Sequence, residues 1–155
     1  MIIFARHPKN VLQAAPSVNM ADGWETARHV DRPPILLVNQ SGLLNVSGSD
    51  WAIFKMGAVG KVHHVVIETI HFKGNYPESV QIEGCLLLEG QSSDDEMLES
   101  AKYKIVVPRS KLGPNASHTF MAVESLQAVD CIKVTIFPDG GISRLRVSGK
   151  PILTA

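Results

Sequence analysis

A chain of 155 residues with 15 basic and 15 acidic side chains has room for one sizeable core and no net charge to offer a partner. That balance excludes recruitment by charge alone to nucleic acid or to an anionic membrane, so any partner must be selected locally. No apolar run approaches the ~20 residues that span a bilayer, and the opening MIIFARHPKN is too short and too soon charged for a secretory leader, which predicts a cytoplasmic protein.

Residues 1–20 read as a lead-in. After them come about eight short runs rich in valine and isoleucine, separated by glycine, proline, asparagine and serine. In chain order they are ILLV (35–38), WAIFKM (51–56), VHHVVIETI (62–70), SVQIEGCLLLE (79–89), YKIVV (103–107), HTFMAVE (118–124), CIKVTIFP (131–138) and ISRLRVSG (142–149). Most linkers are too short for the helical crossovers that parallel strands need. The expectation is an all-β fold, an antiparallel β-sandwich or jelly roll, in a single domain over residues 1–155 with a tail from 150.

Alternation supports this. Val80, Ile82, Gly84, Leu86 and Leu88 share one face of their strand, with Gln81, Glu83 and Glu89 on the other; Ile132, Val134 and Ile136 alternate with Lys133 and Thr135. VHHVVIETI is apolar on both faces along much of its length and reads as a central strand. GQSSDDEMLES (90–100) is polar and acidic and reads as a mobile loop with at most one helical turn. Cys85 and Cys131 belong to no CxxC pair and fit reduced core thiols, with one bridge between them as the alternative.

Three stretches could carry chemistry. In DGWETARH (22–29), Trp24 could stack on a planar ligand while Glu25 or Arg28 binds its polar edge; alternatively the tryptophan closes the sandwich and the two charges pair on the surface. In HFKGNYP (71–77), Gly74 is expected to supply a positive φ and Pro77 to fix entry into the next strand, which leaves His71, Phe72, Lys73 and Asn75 around the turn. A histidine there is either a hydrogen-bonded structural residue or a proton-transfer group.

In FPDGGISRLRVSG (137–149), PDGG reads as a hairpin turn, and Arg144 and Arg146 emerge on one face only ~7 Å apart. Two cations so close need carboxylates or an anionic ligand between them. His63 and His64 are adjacent on a strand and face opposite ways. No HExxH, zinc-spaced cysteine and histidine set, phosphate-binding glycine loop or GxSxG elbow is present, so no metal ligand set can be named and a serine hydrolase built on Ser117 and His118 is not expected.

Taken in order, HPKNVLQAAPSVNMADGWETARH, DWAIFKMG, VVIETIHFKGNYPESVQIEG, NASHTF and VTIFPDGGISRLRVSG resemble the allantoicase (allantoate amidinohydrolase) family over roughly residues 4–149. The resemblance implies a jelly roll of the galactose-binding type and release of urea from allantoate to leave ureidoglycolate, in purine degradation. Family members usually carry two such repeats, and this chain resembles the second, so association with another repeat or a homo-oligomer is expected. For a ureide substrate bearing one carboxylate, the matching positions imply Arg144 and Arg146 as carboxylate clamps and Asn75 and Glu25 as ureido contacts. Trp24 and Arg28 would line the site, and His71 or His118 would transfer the proton, with Glu25 beside them. The resemblance leaves the cofactor unspecified. The alternative is a noncatalytic galactose-binding-like module, or a homologous domain without activity.

Overall fold

A computed structural model describes residues 4–87, 98, 101–124 and 127–153, and nine strands carry their regular structure, every pair antiparallel. A small sheet runs in the order β1 (Phe4–Arg6), β2 (Trp24–Thr26), β8 (Gly141–Ile142). The large sheet runs β5 (Lys104–Lys111), β4 (Ser79–Cys85), β7 (Val129–Phe137), β3 (Asp50–Glu68), β6 (Ser117–Met121), and β9 (Arg144–Pro151) also pairs with β3. Trp24 and Ile142 of the small sheet join Val65, Ile67, Val80, Ile82, Ile132, Val134 and Ile136 of the large one in a single buried cluster. The expected antiparallel sandwich is therefore the observed fold. No helix among the described residues is long and apolar enough to cross a membrane.

The two runs WAIFKM and VHHVVIETI are one strand, not two. β3 continues through Gly57 and Gly60, pairing its first half with β7 (Asp50 opposite Ile136) and its second half with both β6 (Glu68 opposite Ser117) and β9 (Glu68 opposite Arg144). Glycine weakens a strand without ending it when partners on both edges hold the ladder. The expectation that this stretch is central is met.

On β4, Val80 and Ile82 are fully buried while Gln81 and Glu83 are half-buried. The alternation reverses past the strand end at Cys85, where Leu86 is exposed and Leu87 buried. Cys85 and Cys131 are free, buried and directly opposite each other across β4 and β7. The loop expected over 90–100 lies outside the described residues apart from Leu98.

Two further expectations are corrected. ILLV forms no strand: Val38 makes one isolated bridge to Leu44, and Ile35 (74% exposed) and Leu37 (64%) project outward. Pro33 and Pro34 cannot donate to a ladder, so composition alone misleads there. PDGG is not a hairpin turn. It leaves β7 of the large sheet through a cis Phe137–Pro138 bond and delivers the chain to β8, which pairs with β2 of the small sheet. The turn is a crossover between layers.

The lead-in forms 3-10 turns at Pro8–Leu12 and Met20–Asp22. Asn19 caps the second, its side chain accepting from the Ala21 N–H at 2.8 Å.

Candidate functional site

Four stretches far apart in sequence meet at one end of the sandwich: 15–29, 71–77, 113–118 and 137–144. Their junction is backbone against backbone. Gly140 has φ +128°, and a Cβ there would stand 2.6 Å from the Asn75 carbonyl oxygen and 2.9 Å from the Pro77 nitrogen. The Asn75 carbonyl accepts from the Gly141 N–H at 2.8 Å, and the Gly140 carbonyl accepts from the Thr26 N–H at 3.0 Å. Phe72 is fully buried, its ring so close to Gly141 that any Cβ at that position would overlap it. Only glycine allows such approach.

The positive φ of HFKGNYP belongs to His71, at 74°, and not to Gly74, around which a Cβ would find open space. A bulky residue in the left-handed region is strained and persists only where its surroundings hold it there. Here Asn115, itself at φ 46°, accepts from the His71 N–H through Oδ1 at 2.9 Å, and the Asn115 N–H donates to the Phe72 carbonyl at 2.9 Å. The ring is fixed too: Nε2 donates to the Ser17 carbonyl at 2.9 Å. A carbonyl can only accept, so Nε2 carries hydrogen and Nδ1 is the position that gains or loses a proton. Nδ1 has no hydrogen bond among the described residues.

Glu25 lies on β2 opposite Gly141. Asn75 Nδ2 donates to its Oε1 at 2.6 Å, with the Met20 sulfur 3.6 Å from the same nitrogen, while Glu25 Oε2 has no partner among the described residues. The alternative of a Glu25–Arg28 pair is not what forms. Arg28 is exposed and has neither ion pair nor hydrogen bond among the described residues.

The loop 15–22 supplies both Ser17 and Met20; Arg144 ties it down, and Arg146 holds the segment just before it. Arg144 is fully buried; its guanidinium donates to the carbonyls of Ala15 (2.8 Å), Asp22 (2.9 Å) and Ser143 (2.6 Å) and to the Asp22 carboxylate (3.1 and 3.4 Å). Arg146 donates to the carbonyls of Val11, Ala14 and Leu145. The anion between the two cations that the sequence called for is largely backbone carbonyl plus Asp22. Burial raises the Asp22 carboxyl, but hydrogen bonds from Ser17 Oγ and the Val18 N–H, with the Arg144 guanidinium, outweigh it and bring the carboxyl from 3.8 down to about 2.

Trp24 is wholly inside the core, with its Nε1 buried and unpartnered, so no face is open for stacking. His118 spends both ring nitrogens on the backbone, Nδ1 donating to the Ile67 carbonyl at 3.1 Å and Nε2 accepting from the Gly113 N–H at 2.8 Å. It packs parallel to Phe120 and braces the loop that carries Asn115. Of the eight residues singled out from the sequence, His71, Glu25 and Asn75 gather around the loop at 17–20, Arg28 is solvent-facing, and Trp24, His118, Arg144 and Arg146 are built into the support. Sequence reasoning missed Ser17, Asp22 and Asn115. Only Asn115 left a signal, since asparagine tolerates a positive φ ahead of a small residue. No group of three or more His, Cys, Asp or Glu side chains suited to a metal ion occurs among the described residues.

A cleft of about 320 Å3 opens beside Asn75, bounded by its neighbours Gly74 and Tyr76, by Glu78 and Lys111, and by Arg32. Arg32 Nη1 is 3.3 Å from Asp139 in the PDGG crossover, and Asp139 also accepts from the His29 N–H at 2.9 Å.

An antiparallel β-sandwich with a polar cluster of loops gathered at one end defines the class, a jelly-roll repeat. The family model for the allantoicase repeat matches residues 3–152, and the chain belongs to the allantoicase family. It is 40% identical over 142 residues to a probable allantoicase of Pseudomonas syringae pv. syringae and 39% identical over the same length to one of Pseudomonas fluorescens. Each match takes in 91% of this chain and 38% of the relative, so the chain spans well under half the length of these relatives. The crystal structure of allantoicase from Saccharomyces cerevisiae superposes with a TM-score of 0.69 at 30% identity, over 92% of this chain and 36% of the other. A second allantoicase structure gives 0.70 at 30% identity.

Proposed function

We propose that this repeat carries a hydrolytic site of the allantoicase type, which converts allantoate and water to ureidoglycolate and urea. The observation that carries this reading is the match of residues 3–152 to the allantoicase repeat. The grouping of His71, Glu25 and Asn75 around one loop supports it.

In the reaction, water oxygen bonds to the central carbon of allantoate, one carbon–nitrogen bond breaks, and the departing ureido nitrogen takes up a proton. Glu25 Oε2, unpartnered, takes the proton from water. Protonated His71 Nδ1 gives one to the leaving nitrogen, while the Ser17 carbonyl keeps Nε2–H in place through both protonation states. Asn75 donates through Nδ2 to Glu25, which leaves its Oδ1 to accept from a ureido N–H. Arg28, exposed and without an ion pair among the described residues, is open to a ligand.

Because the chain spans 38% of its curated relatives, the full activity is read as a joint property of this repeat with another repeat or a second copy. Residues 1–155 are taken as one domain, and buried free thiols suit a reducing cytosol. Urea release from allantoate by the purified chain, with and without divalent metal, is the test. Turnover is expected where a second copy or another repeat completes the site, and there His71→Gln and Glu25→Gln should each lower kcat by roughly 100-fold or more with the fold retained. A folded chain that releases no urea in any of these conditions rules out independent activity.

A further inference from the structure

The proposed substrate carries a carboxylate, yet Arg144 and Arg146 are committed to backbone carbonyls and Asp22. A different cation must meet it. The cleft beside Asn75 is bordered by two, Arg32 and Lys111, and by one acid, Glu78.

That acid is already compensated. Glu78 Oε2 is 3.4 Å from Arg109, and its Oε1 accepts from the Leu44 N–H at 2.9 Å. Arg109 in turn donates to Ser79 and lies 4.2 Å over the Phe137 ring, so its charge is tied to the sheet. Arg32 shares Asp139, but its Nε is buried with no hydrogen-bond partner among the described residues, a charged donor left unsatisfied next to the cleft. Lys111 has no ion pair among the described residues. The two ion pairs cancel, and Lys111 sets the sign of the cleft. Leu36, Val38 and Leu44 wall one side with apolar surface, which strengthens the pull of a cation on an anion by displacing water. At about 320 Å3 the space falls at the small end of ligand pockets.

We infer that this cleft is the carboxylate subsite, with Arg32 and Lys111 as the residues that bind the anionic end of a small ureido acid. The ligand class follows from the charge: a small monocarboxylate is accepted and its neutral amide is not. The inference rests on the allantoate reading above, and its test separates the two.

Binding and turnover of allantoate and its carboxamide, and binding of the small ureido monocarboxylate N-carbamoylglycine, are measured on the whole chain and on Lys111→Gln and Arg32→Gln. Lys111→Gln touches no bonded neighbour, so it reports on the cleft even if Arg32→Gln, which frees Asp139, fails to fold. Each variant is expected to raise KM and Kd for allantoate about tenfold, with kcat within about twofold and the weak binding of the carboxamide unchanged. Turnover of allantoate with KM unaltered in both variants overturns the cleft and leaves the hydrolase reading standing. Absence of turnover and of allantoate binding, with N-carbamoylglycine still bound and its affinity reduced in Lys111→Gln, supports the cleft and counts against allantoate as its ligand. Failure of both acids to bind overturns the cleft.

Discussion

Arg144→Met decides whether that arginine serves a ligand or the scaffold. The substitution keeps the length and the apolar stem of the side chain and removes a buried guanidinium that makes five hydrogen bonds, four of them to Ala15 and Asp22 across more than 120 residues of sequence. Breaking a buried charge pair costs roughly 3–5 kcal/mol. The Asp22 side chain is 23% exposed and Ala15 lies at the surface, so water can recover part of what is lost, and a destabilisation of about 3 kcal/mol is expected. For a chain of this size that corresponds to a fall in Tm of roughly 6–12 °C, measurable by calorimetry or circular dichroism, with the protein still folded at room temperature. The loss should appear with no ligand present. A variant that melts within 2 °C of the parent yet loses its affinity for allantoate would refute the reasoning and restore Arg144 as a substrate clamp.

The same loop gives a pH signature. Asp22 has a folded-state value of about 2 against 3.8, so its contribution is complete above about pH 4 and drains away as pH falls toward 2; denaturant titrations should show stability dropping across that window, and Asp22→Asn should flatten the drop. Parallel curves for the two proteins would remove Asp22 as the cause. Gly140→Ala forces a Cβ to within 2.6 Å of a carbonyl oxygen at φ +128° and should cost about 2–4 kcal/mol, whereas Gly74→Ala, facing open space, should stay within about 0.5 kcal/mol in the same unfolding assay. Burial, aided by the negative charge of Asp130, pushes the Cys131 thiol up to about 11, and burial raises Cys85 as well. Both thiols should therefore resist a disulfide reagent at pH 8 until the chain is unfolded, and prompt labelling of the native protein would count against that burial.

Strand periodicity was legible where a strand has one buried face and partners on both edges. Val80 and Ile82, and Ile132, Val134 and Ile136, are inside as their alternation requires. Hydrophobicity without that context misled: ILLV has the composition of a strand, but its neighbours Pro33 and Pro34 and the lack of a paired edge leave it exposed. The motifs that form the site could be picked out one by one, but their roles could not. Whether an arginine faces a ligand or a carbonyl depends on where the lead-in crosses β9, a contact more than 120 residues long that no local pattern encodes. The glycine rule also pointed three residues too far along: Gly74 is the residue that tolerates a left-handed turn, while His71 is the one held in it by Asn115 and Ser17.

The clasp between Arg144 and the loop at 15–22 carries a consequence for biosynthesis. Ser17 positions the His71 ring, Asp22 binds Ser17 Oγ, and Asp22 is gripped by an arginine near the end of the chain. A nascent chain still lacking β9 can pair β3 with β7 and β6 but lacks the Arg144 anchor of that loop. The left-handed histidine then loses one of its two restraints, and this end of the sandwich stays unassembled until β9 is in place. Arg144 thus makes the arrangement of the 15–22 loop and the His71 ring depend on β9 being in place, so the sheets can pair before this end of the sandwich takes its shape.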